Sequence, residues 1–351
     1  MKIINYIGRK LPYINGILRR QIELDRCISK QKKIDISYFY YLPPRNPFDF
    51  LIKRFIKYPI QSYKNNKEKD TINHISAQIH SDILHFLNKS KTIITCHDIH
   101  TFMEKKNLQN PILLQKYMLS GLRKCRHIIA ISEFTKNEMI KALNIPEERI
   151  VVINNGINND IFYPIKEYEK INISPLFPNH KKILHVGTEV ARKNIPTLLR
   201  AFYYVKKEIK NVKLIRIGRP KYQSMVRDLK LENDIVYISD INNPRLREIY
   251  NLADILVFPS FYEGWGFPGL EAASCGLPVI CSDIPTFKEI YKDFPLFYPP
   301  KDFKKLSKLI INTINNDDRK KSMTKKGLKI AKSYTWEKSA REYLKLISSI
   351  I

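Results

Sequence analysis

The sequence predicts an α/β protein made of two doubly wound parallel-sheet domains that face each other across a cleft. Three observations lead there. At 351 residues the chain is long for one open sheet, and domains of roughly 100–200 residues point to two of them. From about residue 180 to 300, short apolar runs alternate with amphipathic stretches, the pattern of βαβ units in a parallel sheet. A less regular version of the same alternation fills the first half.

In that first half the strand candidates are KIINYIG, IDISYFYYL, KTIITCHD (91–98), RHIIAIS (126–132) and RIVVINN (149–155), with helices such as NPILLQKYMLSGLRKC between them. A linker is expected around 160–178, where Pro164, Pro175 and Pro178 interrupt the unpatterned stretch EYEKINIS. The second half opens with the strand KILHVG (182–187) and the polar turn TEVARKN. A helix follows, IPTLLRAFYYVKKEIK, with Asn194 as N-cap and Pro196 in its first turn. VKLIRIG (212–218), DIVYIS (234–239), ADILVFPS (253–260) and PVICSD (278–283) continue the sheet. PKYQSMVRDLKLE and NPRLREIYNLA supply helices between them, the latter with Leu246, Ile249, Tyr250 and Ala253 on one face. After ADILVFPS comes the loop FYEGWGF, then Pro268 opening a helix that ends near Gly276. The expected domains are therefore Rossmann-like units at 1–165 and 166–334. The amphipathic helix TWEKSAREYLKLISSI, within 335–351, is expected to cross back onto the first.

With 44% hydrophobic and 27% charged residues, the composition is that of a folded globular protein. The five cysteines occur singly, without a CxxC pair or zinc spacing, and read as reduced core thiols. The N-terminal apolar stretch is too interrupted for a secretory signal, and no run approaches 18 apolar residues. A cytoplasmic protein is expected, with no membrane span. The net charge of +27 attracts phosphate-bearing partners, nucleic acid or anionic lipid. Its basic residues spread from Lys30 to Lys345, which reads as compositional bias, although peripheral contact with an anionic membrane surface fits too.

The chemistry concentrates in FYEGWGFPGLEAASCGLPVI, where seven residues separate Glu263 from Glu271. Ligands of a doubly wound sheet bind beyond the carboxyl ends of its strands, so this loop faces the site. Gly264 and Gly266 let backbone approach a ligand, and the amides opening the next helix favour phosphate. Glu263 is read in the loop and Glu271 in the first helical turn, both suited to accept hydrogen bonds from sugar hydroxyls. Arg192 and Lys193 follow KILHVGTEVA at another strand-to-helix turn, where paired cations oppose the helix dipole unless an anion is near. They are candidates for a diphosphate clamp, although an Arg-Lys pair among 61 basic residues is by itself an ordinary solvated charge. His97 and Asp98 end the strand KTIITCHD, so His97 is either a substrate contact or proton relay, or half of a pair stiffening the turn. His74, His80 and His85 fit neither one helical face nor a zinc motif and read as structural or acceptor-side residues. No D-x-D motif stands near a strand end, so neither a metal nor a cofactor is expected.

HVGTEVARKNIPTLLRAF and PSFYEGWGFPGLEAASCGLPVICSDIP resemble the nucleotide-sugar-binding half of glycosyltransferase family 4, whose signature is an E-x7-E pair, here Glu263 and Glu271. RHIIAISEFTKNEMIKALNIPEERIVVINNGINNDIF (126–162) is similar to the family's last N-domain strand and hinge approach. The resemblance implies a GT-B fold and retaining, metal-independent transfer from a nucleotide sugar, UDP- or GDP-linked. The acceptor would be a glycan or lipid-linked species in cell-surface polysaccharide synthesis. It implies Glu263 at the transferred sugar and Glu271 at the ribose, with Gly264, Trp265, Gly266 and Phe267 around them. Lys193 would sit at the phosphates, Gly187 would end the first strand of the donor half, and His97 would lie near the sugar. Many members carry a second cation after that glycine; here Thr188 stands there, which shifts the clamp to Arg192. The glycine-rich loop expected after the first strand is reduced to Gly8 before Arg9 and Lys10. A nucleotide-sugar epimerase or hydrolase on the same fold is the enzymatic rival. A non-specific nucleic-acid binder is the other, against which stands the lack of an RNP motif, zinc knuckle or basic helix.

Overall fold

The computed structural model describes residues 1–7, 16–31, 34–41, 45–65, 71–103, 112–165 and 177–351. The chain divides into two compact units, one formed by Met1–Gly156 with Trp336–Ile351, the other by Ile157–Thr335. The first boundary falls ahead of residue 165 because the chain after Gly156 already packs with the second unit. Phe162 and Ile165 are buried there, Phe162 lies edge-on to Tyr250, and the Ile165 amide donates to Asn251 Oδ1 at 2.7 Å. Residues 166–176 of the expected linker, and Gly8, Arg9 and Lys10, lie outside the described residues.

The first unit is built on six parallel strands: β1 (Lys2–Ile7), β2 (Asp35–Tyr40), β3 (Thr71–Ile75), β4 (Thr92–Cys96), β5 (His127–Ala130) and β6 (Ile150–Val152). Their spatial order is β2-β1-β3-β4-β5-β6, so the strand order reverses between β1 and β3. The central strands are buried on both faces, as the continuous apolar runs of β1, β4 and β5 require. Sequence periodicity passes over β3, because Asn73 and His74 interrupt its apolar run. Both are buried nonetheless and bonded: Tyr6 Oη donates to Asn73 Oδ1 at 3.2 Å, and the His74 ring bridges Asn5 Oδ1 and Thr95 Oγ1 at 3.1 and 2.8 Å. The last helix, Trp336–Ser348, packs in this unit through Trp336, Ala340, Tyr343, Leu344 and Ile347, spaced at three and four residues. Its Tyr343 hydroxyl reaches His74 Nδ1 at 3.1 Å, and Ser339 Oγ donates to the Asn154 carbonyl at 2.6 Å.

The second unit repeats the architecture with β7 (Lys181–Val186), β8 (Val212–Ile217), β9 (Ile235–Ile238), β10 (Ile255–Phe258), β11 (Val279–Ser282) and β12 (Leu296–Tyr298), all parallel, ordered β12-β11-β10-β7-β8-β9. The three-residue β12 is too short to show a period in sequence. The helix Ile195–Glu208 buries Ile195, Leu198, Leu199, Phe202 and Val205 against this sheet, each worth about 1.5–3 kcal/mol of apolar burial. Asn194 precedes that helix but does not cap it with its side chain. It sits in the left-handed region at φ 54°, and its Nδ2 donates instead to the carbonyls of Pro259 and Pro300 at 2.9 and 2.7 Å. The segment PKYQSMVRDLKLE forms only the short helix Gln223–Asp228. The five cysteines are free and buried. Among the described residues no helix is long and apolar enough to cross a membrane.

Candidate active site

In the second unit the chain runs from β7 outward through β8 and β9, then returns to lay β10 against the other side of β7. Ile183 pairs with Ile255 and Leu184 with Leu256. This reversal of strand order is where an open α/β sheet leaves room for a ligand beyond its carboxyl edge. It also brings together two loops that lie far apart in sequence. The Phe261 amide donates to the Arg192 carbonyl at 2.8 Å, and Asn194 ties the β7 loop to Pro259 at the end of β10.

Within that seam Arg192, Lys193 and Glu263 form one ionic cluster. Lys193 Nζ donates to Glu263 Oε1 at 2.5 Å and Arg192 Nη1 to Oε2 at 3.0 Å, while Ser260 Oγ adds a bond to Oε1 at 2.7 Å. Burial by itself would raise the Glu263 pKa, but the two cations and these hydrogen bonds outweigh it and hold the carboxyl below its ordinary range. Lys193 is nearly buried, with its ammonium 5.3 Å from the Phe258 ring centroid, whereas the Arg192 side chain keeps 29% of its surface exposed. The anion that an Arg-Lys pair ahead of a helix calls for is thus the protein's own carboxylate. Each cation retains further N–H donors beyond those given to Glu263.

The loop carrying Glu263 is fixed from beneath. Thr286 Oγ1 donates to the Glu263 carbonyl at 2.7 Å and Tyr291 Oη to the Gly266 carbonyl at 2.5 Å. Gly266 has φ 122°, and a Cβ there would meet Tyr291 Oη at 2.3 Å, so only glycine fits. Gly187, ending β7 at φ 146°, has only ordinary contacts around it, including Lys193 Cε at 3.8 Å. The helix after the loop spans Phe267–Ser274 with Gly266 at its N-cap and no side-chain cap. Glu271 therefore lies in the second helical turn and not the first. It is 2% exposed and accepts from Tyr250 Oη at 2.8 Å.

One element of the site has no counterpart in the motif reading. Arg216, fully buried in β8, donates through Nη2 to Glu189 Oε1 at 2.9 Å and through Nη1 to His185 Nδ1. Glu189 Oε2 in turn accepts the backbone amides of Lys221 and Tyr222. Burial lowers the Arg216 guanidinium to about 10, still charged at neutral pH. The arrangement braces the β7 loop that presents Arg192 and Lys193. Its signal in the sequence was a polar residue inside each of two apolar runs, Arg216 in VKLIRIG and His185 in KILHVG.

The model for Glycosyl transferases group 1 matches residues 167–330, and that for Glycosyltransferase Family 4 matches residues 29–161. O-antigen chain mannosyltransferase B of Escherichia coli is 30% identical over 260 residues, which cover 70% of this chain and 67% of that protein. The chain belongs to glycosyltransferase family 4. As a member it is a hexosyltransferase, and solved structures agree on its GT-B fold. Sucrose-phosphate synthase from Thermosynechococcus elongatus superposes with a TM-score of 0.81 at 17% identity, covering 99% of this chain and 98% of that one. Anabaena Alr3699/HepE, solved with UDP and glucose, superposes with a TM-score of 0.79 at 15% identity, covering 99% and 100%.

The remaining expected residues of the transferase fall into two groups. Gly264 and Trp265 are buried, and the Trp265 ring stands edge-on to Tyr334 at 5.3 Å, so it props the loop from inside; Phe267 opens the helix. His97 belongs to the first unit, at the carboxyl end of β4. Its Nε2 bonds the Ser76 carbonyl at 2.9 Å and its backbone amide donates to Gln78 Oε1. Burial and the nearby Arg20 push its ring down to about 3, so at neutral pH it is an uncharged imidazole whose Nε2 carries the proton. That form suits hydrogen bonding better than proton relay. His74, His80 and His85 are structural: His80 stacks on Tyr41 at 4.0 Å, and His85 Nε2 bonds Ser120 Oγ at 2.7 Å. Among the described residues no three His, Cys, Asp or Glu side chains converge as metal ligands.

Proposed function

We propose that this transferase moves a hexose, with retention and without a metal ion, from a nucleoside-diphosphate sugar to a glycan or lipid-linked acceptor of an O-antigen type surface polysaccharide. The reaction would take place on the cytoplasmic side of the membrane. The observation that carries the reading is the Arg192–Lys193–Glu263 cluster at the strand-order reversal of the second sheet. A mannosyl donor is favoured by the Escherichia coli relative, an O-antigen chain mannosyltransferase, and a nucleoside diphosphate site by the UDP bound in the Anabaena structure.

In this reading the bond between the anomeric carbon and the β-phosphate oxygen breaks, and its electron pair leaves with the diphosphate. An acceptor hydroxyl oxygen bonds that carbon on the same face, and its proton passes to the departing phosphate oxygen. The spare donors of Lys193 and Arg192, with the positive end of the helix that starts at Phe267, neutralise the growing charge on the diphosphate, the task a metal performs elsewhere. Glu263, held ionised by those cations, accepts sugar hydroxyls. Glu271 accepts the ribose.

The test is a thermal-shift screen with UDP, GDP, ADP and CDP and their sugars in EDTA. At 100 times its dissociation constant the right ligand stabilises by about 2.7 kcal/mol. Stabilisation by one nucleotide, absent in Lys193→Ala and Glu271→Ala, supports the site. A response that appears only after a divalent ion replaces EDTA would refute metal independence, and silence toward every nucleotide would refute the donor site.

A further inference from the structure

The two glutamates of the E-x7-E pair are held by different means. Glu263 is gripped by two cations. Glu271 stands between Leu270 and Ala272 in the helix Phe267–Ser274, all three buried, and a carboxylate in such company costs stability unless it is bonded. Its bond comes from a second helix, Asn243–Leu252, whose Tyr250 Oη donates to Glu271 Oε2 at 2.8 Å. A phenol carries no charge at neutral pH. It therefore fixes the direction of the carboxylate without cancelling the negative charge that makes it a strong acceptor for neutral hydroxyls.

Tyr250 is itself locked in place. It is fully buried, and its ring stands edge-on to Phe162 at 6.0 Å. Phe162 belongs to the stretch 159–165, which is laced to both helices. On the helix of the tyrosine, Arg247 Nη1 donates to Tyr163 Oη at 2.6 Å with its guanidinium 4.6 Å from that ring. Asn251 Nδ2 donates to the Tyr163 carbonyl at 3.1 Å, while its Oδ1 accepts the Ile165 amide. On the helix of the glutamate, Ser274 Oγ donates to Asn159 Oδ1 at 3.2 Å. The stretch thus fastens the two helices together where Tyr250 meets Glu271. A neighbour that fixes the orientation of a ligand-binding side chain sets how well that side chain binds.

We propose that Tyr250 is a positioning residue for the donor: its hydroxyl holds the Glu271 carboxylate in the direction that takes the ribose hydroxyls, and the stretch 159–165 holds Tyr250. The inference rests on the donor site of the proposed function, and the test separates the two. Dissociation constants for UDP, GDP, ADP and CDP are measured by calorimetry on the full-length wild type, Tyr250→Phe, Glu271→Ala and the double variant. The nucleotide that binds is then compared with its 2′-deoxy and 3′-deoxy forms. Tyr250→Phe should bind that nucleotide about tenfold more weakly, the worth of one hydrogen bond to a charged group. The wild type should prefer the ribose form over at least one deoxy form, and Tyr250→Phe should lose most of that preference. Adding Tyr250→Phe to Glu271→Ala should cost no further affinity, because the carboxylate it aims is gone. A tyrosine that only packs would lower the melting temperature and leave the ribose preference intact. Wild-type affinity in Tyr250→Phe, an undiminished ribose preference there, or additive losses in the double variant would each overturn the proposal and leave the donor site standing. Silence of the wild type toward all four nucleotides would refute the donor site, and this inference falls with it.

Discussion

Glu263 is the residue on which the donor half turns, and its energetics are those of a nearly buried ion pair. Its side chain and that of Lys193 keep only 9% and 11% of their surface, so removing one partner leaves the other charge poorly solvated. Arg192 still faces the carboxylate, which softens the loss. Lys193→Ala is therefore expected to cost about 1–3 kcal/mol, less than the 3–5 typical of a broken, fully buried pair. In a double-mutant cycle by urea unfolding, Lys193→Ala with Glu263→Ala should cost clearly less than the sum of the singles. Additivity within about 0.5 kcal/mol would mean the pair is uncoupled. The glutamate pair and the basic dipeptide were each legible as short motifs. That the lysine and arginine grip the first glutamate was not, because 70 residues separate Lys193 from Glu263 and nothing local records their meeting.

The loop Ser260–Gly266 and the helix after it act as one element, held by Tyr291 from below. The Gly266 conformation, at φ 122°, is closed to other residues by backbone sterics and by the tyrosine hydroxyl that bonds its carbonyl. Gly266→Ala should destabilise the second unit by about 2–4 kcal/mol and abolish the nucleotide thermal shift. Adding Tyr291→Phe removes the clashing hydroxyl but not the backbone strain, so it should restore part of the stability. If Gly266→Ala melts like the wild type, the glycine is not under this constraint. The glycines of FYEGWGF announced a close backbone approach in the sequence, yet they pointed outward to a ligand. At Gly266 the near neighbour is an internal tyrosine 25 residues away.

At the scale of the whole molecule the two units carry opposite dependences on pH. Asp25, in the helix Gly16–Gln31, is pushed up to about 6 by burial, against hydrogen bonds from Tyr38, Gln21 and Asn5 and the charge of Arg20. Folded Asp25 holds its proton more tightly than the unfolded chain does. The first unit should therefore lose stability between about pH 4 and 7, by up to about 3 kcal/mol. Glu263 is held below its ordinary value, so its contribution to the second unit is present above the carboxylate range and fades as pH falls through it. Each unit owns one of the two tryptophans, Trp336 in the first and Trp265 in the second, so Trp265→Phe and Trp336→Phe variants read them separately. Asp25→Asn should flatten the pH response of the Trp336 signal alone; a wild-type Trp336 transition that does not move between pH 4 and 7 would contradict the assignment. The sequence by itself determined the two parallel sheets and the E-x7-E loop, because apolar runs of strand length, glycines and acidic pairs are local patterns with a fixed period or spacing. Only the tertiary structure decided that β10 lies beside β7, that Glu263 is paired before any donor arrives, and that Arg216 braces the loop. It also decided that the chain changes units at Gly156. Each depends on which elements become neighbours, and long-range packing sets that without leaving a mark in any short window of sequence.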